Sequence, residues 1–197
     1  MDVTLSDGFE PHERPVVAAL YWQAFGHKLG RYLGPEARAL TFLAAVLDPR
    51  FALVARDAEG RILGIAGFKT EDGALVGGDL PDLQRIYGYV GGLWRGLVLS
   101  VVDRDVSPDI LLMDGICVRS DARGQGIGGV LLDAMKAKVQ RLGKRALRLD
   151  VIDTNPRAKA LYERKGFLAT AVEETGVFEV MFRFRSATQM LWHVTAE

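Results

Sequence analysis

Between Arg123 and Gly129 the chain reads Arg-Gly-Gln-Gly-Ile-Gly-Gly, directly ahead of an apolar run with helical spacing that reaches Leu142. A turn of this composition delivers backbone N–H groups, bare of side chains, to the start of a helix. There the first four amides lack partners and the helix dipole is positive. Pyrophosphate is the ligand such a place suits best. Nearby stand two further groups with chemistry in them: Asp114, the one carboxylate inside the apolar run Ile110–Val118, and Cys117, the only cysteine of the chain. A buried carboxylate has its pKa raised and becomes a useful base. A strand cysteine with no histidine near it in sequence reads as a small buried hydrophobe rather than a nucleophile.

The elements that must position these groups follow from the same stretch. Ile110–Val118 has the length and composition of a strand, and Ala146–Ile152 is a second apolar run of strand length. Asn155-Pro156 then opens a second helix through Tyr162 to Gly166-Phe167. The pattern from 110 to 168 is strand, glycine turn, helix, strand, helix. Gly124-x-Gly126-x-x-Gly129 also matches the dinucleotide fingerprint, with Asp150 at the expected strand end. A dinucleotide fold needs several more strand–helix units, and only about 70 residues remain, the last of them patterned as antiparallel strands. A phosphate loop of the Walker type lacks its Gly-Lys-Ser/Thr.

Upstream, Val16, Val17, Leu20, Tyr21, Ala24 and Phe25 form a helical stripe within 11–30, and Pro35 opens a helix that Asp48-Pro49 stops. Phe51–Arg56 and Ile62–Phe68 are strands about the turn Asp57–Arg61, and Gly64 and Gly67 suggest a bulge or close backbone approach. Glu71–Asp79 reads as an acidic loop. Leu83–Val102 is apolar, but Arg85, Arg95 and four glycines leave no span of roughly 20 apolar residues, so a partly buried helix is expected. Downstream, 167–172, 178–185 and 190–194 alternate as strands, and an antiparallel pair among them is expected.

The totals bound the rest. A chain of 197 residues, 49% hydrophobic and 25% charged, is expected to form one soluble domain over 1–197. Zero formal net charge gives no overall electrostatic footprint for nucleic acid or for an anionic membrane. A single cysteine and the scattered His12, His27 and His193 provide no metal-ligand spacing. The first residues lack a signal-peptide pattern, and a cytoplasmic location is expected.

Read as Arg123-x-x-Gly126-x-Gly128, with Cys117-Val118 before it and Asn155-Pro-x-Ala-x-x-Leu-Tyr162-x-x-x-Gly-Phe167 after, the stretch closely resembles the GCN5-related N-acetyltransferase (GNAT) family. The resemblance runs from about residue 110 to 168 and is loose over the hairpin at 51–68. It implies an α/β fold: a mixed, twisted, mostly antiparallel sheet with helices on both faces and splayed central strands that admit coenzyme A. It also implies direct acetyl transfer from acetyl-coenzyme A to an amine in a ternary complex, without metal. Ile116, Cys117 and Val118 would pair by backbone with the pantetheine arm. Arg123, Gly124, Gln125, Gly126, Ile127 and Gly128 would hold the pyrophosphate. Tyr162 matches the tyrosine that protonates the departing thiolate, the other reading being a half-buried helix tyrosine.

Asn155 is either a cofactor contact or a helix N-cap, and Asp114 either the general base or an aspartate tied to backbone at a bulge marked by Gly115. The acceptor, a small-molecule or peptide amine, is not named by these residues, and a homodimer is possible. Two rivals are an inactive acyl-coenzyme A binder of the same fold and a membrane-surface protein built on 83–102, without stable insertion in either case.

Overall fold

Ile110–Val118 is apolar on both sides of its alternation, which suits a strand covered on both faces. In the computed structural model, which describes residues 2–100, 106–176 and 184–194, that segment is the central strand β5. Before it come β1 (Thr4–Asp7), α1 (Arg14–Leu33), α2 (Glu36–Val46), β2 (Ala52–Arg56), β3 (Ile62–Thr70), β4 (Gly73–Ala74), α3 (Leu80–Tyr87) and α4 (Tyr89–Ser100). After it come α5 (Ile127–Arg141), β6 (Ala146–Ile152), α6 (Pro156–Arg164), β7 (Leu168–Glu174) and β8 (Ser186–His193). The sheet runs β1-β2-β3-β5-β6-β8-β7, with β4 added to β3. Every pairing is antiparallel except β5 with β6. This is the mixed, mostly antiparallel sheet that the family resemblance implies.

The parallel pair decides the architecture. β5 and β6 are paired only over Ile110↔Ala146, Leu111↔Leu147 and Leu112↔Arg148, after which they diverge. β3 stays paired with β5 from Gly64↔Val118 to Lys69↔Leu112, with a shift between Gly67 and Phe68. That shift leaves Asp114 as the extra residue of β5, next to Gly115, so the bulge falls where the sequence places it. Gly67 stands opposite because a Cβ there would lie 2.4 Å from Leu75.

Helices cover both faces. α5 buries Ile127, Leu131, Leu132, Met135 and Val139, one stripe at helical spacing. At about 25 cal/mol per Å², each of these side chains contributes roughly 1.5–3 kcal/mol by leaving water. A Cβ on Gly64 would touch Leu131 and Ile127, so the pair Gly64–Val118 faces α5. A Cβ on Gly115 would lie 2.7 Å from the Phe25 ring, so that residue faces α1.

Several expectations are refined. Of the apolar run 83–102, the described part to 100 belongs to two helices, broken at Gly88 with φ 77°, where the left-handed backbone favours glycine. α3 starts in a capping box, with Asp79 accepting from the Asp82 N–H at 3.0 Å. Pro35 is the N-cap of α2 rather than its first residue. The acidic loop contains β4. Strand β1 was not expected: Thr-Leu-Ser-Asp is short and polar, and its pairing with β2 defines it. β7 and β8 form the expected late antiparallel pair. Of the alternating run 178–185, only Phe184 and Arg185 lie within the described residues, and they precede β8.

A half-buried ion pair fastens the start of α1 to the sheet: Arg56 donates to both Glu13 carboxylate oxygens, at 2.5 and 2.8 Å. The guanidinium holds the Glu13 carboxyl down at about 2, against an ordinary 4.5. A depressed carboxylate contributes stability above its unfolded pKa and loses it as pH falls toward the folded one. Glu13→Gln is therefore expected to cost about 1–2 kcal/mol at neutral pH, after allowance for partial solvation. In urea unfolding the gap between variant and parent should close as pH falls from 4.5 to about 2.

Candidate active site

The glycine turn sits at the end of β5. Arg123 donates from Nε to the Val118 carbonyl at 3.1 Å, and Gln125 donates from Nε2 to the Asp121 carbonyl at 3.0 Å. Both long side chains thus shape the turn. Gly124 and Gly126 have φ of 79° and 84°, and a Cβ on either would meet nothing within 4 Å. The space in front of the turn is open. α5 has no side-chain cap, and its first internal bonds run from the Gly129 and Val130 amides to the Gly126 carbonyl. Among the described residues, the amides of Gly124, Gln125, Gly126, Ile127 and Gly128 donate to no protein acceptor. Five donors at a positive helix end, facing open space, fit an anion with several oxygens.

Beside the turn, the divergence of β5 and β6 leaves the β5 backbone beyond Leu112 without a strand on that edge. Ile116 and Val118 are half-buried there, and Cys117 is buried. An extended ligand with amide groups can complete such an edge as a strand would.

The side chains nearest this opening have unequal environments. Burial pushes the Cys117 thiol up, and the neighbouring Asp114 charge pushes it further the same way. A thiol held protonated is a poor nucleophile, in line with the reading of Cys117 as a small core residue. Tyr162 projects from α6, is 6% exposed, and packs on Phe167 with ring centroids 6.0 Å apart. Burial, with a smaller effect from Cys117, raises its phenol to about 12. Cys117 thus feels the Asp114 charge, and Tyr162 feels Cys117. The Tyr162 hydroxyl makes no hydrogen bond among the described residues, yet its oxygen is not sealed from solvent.

Asn155 accepts from the Ala158 N–H at 3.2 Å, the N-cap of α6. Of its two readings the capping bond is made, and its side-chain N–H₂ is left for another partner. Asp150, the acid of the dinucleotide pattern, is instead ion-paired with Arg148 at 3.2 Å. The strand beside β6 is the antiparallel β8, which ends the dinucleotide alternative. Among the described residues no cluster of metal-ligating side chains occurs, and no helix is long and apolar enough to cross a membrane. The sequence reading missed one wall of the opening: Phe25, stacked near Tyr21 with centroids 4.6 Å apart, closes over Gly115. Its only signal was membership of an apolar stripe, which any core residue shares.

With this geometry in view, the model of the acetyltransferase (GNAT) family matches residues 15–167. The chain belongs to the GNAT family. Solved structures agree in fold. A GCN5-related N-acetyltransferase from Kribbella flavida superposes with TM-score 0.64 at 16% identity, over 98% of each chain. The ribosomal-protein-S18-alanine N-acetyltransferase of Escherichia coli gives 0.59 at 19%, over 100% of this chain and 96% of that one. The yncA protein of Salmonella typhimurium, assigned as an acetyltransferase and solved with its cofactor acetyl-CoA, gives 0.63 at 16%, over 100% and 96%. No curated protein matches by sequence.

A branched side chain at Gly126 would stand in the open space before those amides. Gly126→Val is expected to weaken coenzyme A binding at least about tenfold, at a cost of roughly 1–2 kcal/mol in stability from the left-handed backbone. Calorimetric titration with coenzyme A checks the first, and urea unfolding the second. Parental affinity in a folded variant would remove the turn from the site.

Proposed function

We propose that the chain, acting as one domain over residues 1–197, is an N-acetyltransferase that moves acetyl directly from acetyl-CoA to an amine within a ternary complex. The observation that carries this reading is the set of unpartnered amides from Gly124 to Gly128, beside the strand divergence. Those amides and the Arg123 charge would hold the pyrophosphate. The backbone of Ile116, Cys117 and Val118 would pair with the pantetheine arm. An N–H of that segment would face the thioester oxygen and stabilise its negative charge as the amine adds. The side-chain N–H₂ of Asn155 remains for the coenzyme after its oxygen has capped α6.

The two faces of the sheet divide the work. The coenzyme's phosphates belong at the start of α5, on one face. The acceptor then enters over the other, past Phe25 of α1. An amine with a pKa near 10 is almost wholly charged at pH 7, and only the neutral form attacks a carbonyl. Asp114, at the bulge between these faces, takes the ammonium proton. The amine nitrogen bonds to the carbonyl carbon, the carbon–sulfur bond breaks, and the thiolate leaves. A phenol with a pKa of about 12 stays protonated throughout the working range. Tyr162 therefore donates a hydrogen bond to the developing thiolate and passes its proton to sulfur as the thiol forms, and the second proton shed by the amine nitrogen as it becomes the amide restores the phenol. With the Cys117 thiol held protonated by burial, direct transfer is favoured over an acyl-cysteine. Soluble, cytoplasmic action on a small-molecule or peptide amine accords with this chemistry, as does either a monomer or a homodimer.

Two substitutions separate the roles. Asp114→Asn should lower turnover most at neutral pH and least at high pH, where the amine arrives deprotonated; an unchanged pH profile would make Asp114 structural. Tyr162→Phe removes one hydroxyl and almost no volume. Turnover should fall about 100-fold, the low end for general acid–base catalysis because thiolate is a fair leaving group. Coenzyme A affinity should hold. Parental turnover on the best amine found by thiol-release screening would reduce Tyr162 to a packing residue.

A further inference from the structure

Helix α4 is built inside out. Its glycines face its neighbour α3: a Cβ on Gly92 would lie 2.6 Å from the Gln84 backbone nitrogen, and one on Gly96 3.2 Å from Leu80. Four of its large apolar residues face outward. Tyr89 is 74% exposed, Val90 80%, Leu93 52% and Trp94 48%. With Leu80, the hairpin α3–α4 carries five of the ten large apolar side chains exposed among the described residues. A helix on a soluble protein normally turns this stripe inward. A contiguous apolar patch of this kind marks a surface meant to be covered.

The charge beside the patch is cationic. α4 contains no acidic residue. The Arg95 guanidinium lies between aromatic faces, 4.1 Å from the Tyr87 ring centroid and 5.6 Å from that of Trp94. It donates to the Gly91 and Gly34 carbonyls at 3.1 and 3.4 Å and, among the described residues, meets no carboxylate and leaves its Nε buried without an acceptor. Arg85, one helical turn before the hairpin tip, and Arg31, in the last turn of α1, add exposed positive charge. The acids of the hairpin, Asp79 and Asp82, stand at the opposite end, where Asp82 engages Arg85 at 3.4 Å.

We propose that the tip of the α3–α4 hairpin docks on an anionic phospholipid surface. Val90 and Leu93 enter the boundary of the acyl chains. Tyr89 and Trp94 sit at headgroup depth, where an apolar ring with a polar tip is at home. Arg31, Arg85 and Arg95 meet the lipid phosphates, which supply the counter-charge that Arg95 lacks among the described residues. A protein partner would cover the apolar stripe equally well. The combination of outward aromatics with an uncompensated guanidinium is what favours lipid, and short helices that lie in the interface have this make-up. The contact is peripheral and independent of the acetyl-transfer chemistry.

The test is flotation of the full chain with vesicles of phosphatidylcholine, with and without phosphatidylglycerol. The parent should float with the anionic vesicles and weakly, if at all, with the neutral ones. Val90→Asp combined with Leu93→Asp changes only exposed side chains and should keep the parental circular dichroism and melting temperature. Its partition onto anionic vesicles should fall at least about tenfold. No flotation of the parent, or equal flotation of the double variant, overturns the proposal. So does a parent that fails to float but sediments as a dimer which the double variant converts to monomer, because the patch is then covered by a second copy.

Discussion

Three residue pairs join β5 to β6, and the rest of the molecule is arranged around the fact that there are only three. Beyond Leu112 and Arg148 the two strands separate inside a sheet that is otherwise continuous. A strand edge that loses its ladder in the interior leaves N–H and C=O groups short of partners, at about 1–3 kcal/mol for each one buried and unpaired. The other edge of β5 keeps its pairing with β3 on both sides of the bulge, which holds the strand in the sheet. The bulge at Asp114 is the hinge of the separation. It bends the strand locally and sets a carboxylate where a regular ladder would have placed an apolar residue.

The opening has two unlike sides. On one, α5 ends in five free amides with open space before them. On the other, α1 lays an aromatic ring against Gly115. The first side attracts anions by dipole and donors, and the second is apolar and narrow. Between them the Cys117 thiol and the Tyr162 phenol are both pushed toward their protonated forms by burial. A thiol so held is poorly suited to storing an acyl group on sulfur.

The stretch from 110 to 168 was legible in sequence because its signals are local. A glycine turn ahead of a helix, an Asn-Pro cap and a lone aspartate beside a glycine in an apolar strand each carry meaning within a few residues. What was not legible depends on distant contacts. Thr4–Asp7 is a strand only because β2 lies beside it. Phe25 is a wall of the opening only because β5 bulges beneath it. The hairpin break at Gly88 was hidden by continuous hydrophobicity, since a helix with its apolar face outward and glycine inward scores like a buried one. Arg123 shows a further limit: its positive charge was visible, but the bond of its Nε to the Val118 carbonyl follows from the geometry of the turn.

The long helix α1 ties the opening to the rest of the helical layer. Its first half packs in the main core with Val17, Ala18, Leu20 and Tyr21, while Leu33 at its end belongs to a second cluster with Ala39, Phe42, Val46, Leu83 and Tyr87. Trp22 and Leu29 touch both. The α3–α4 hairpin grips the end of α1 through the Tyr87 hydroxyl, which donates to the Leu33 carbonyl at 2.5 Å, and through Arg95 on Gly34. From Leu33 back to Phe25 is about 12 Å along a helix, at 1.5 Å per residue. Over that length an α-helix behaves as a stiff rod. The position of the Phe25 ring over Gly115 is therefore set jointly by the sheet beneath it and by the hairpin that clamps the far end. A change that loosens Tyr87 or Arg95 acts on the same helix that walls one side of the opening.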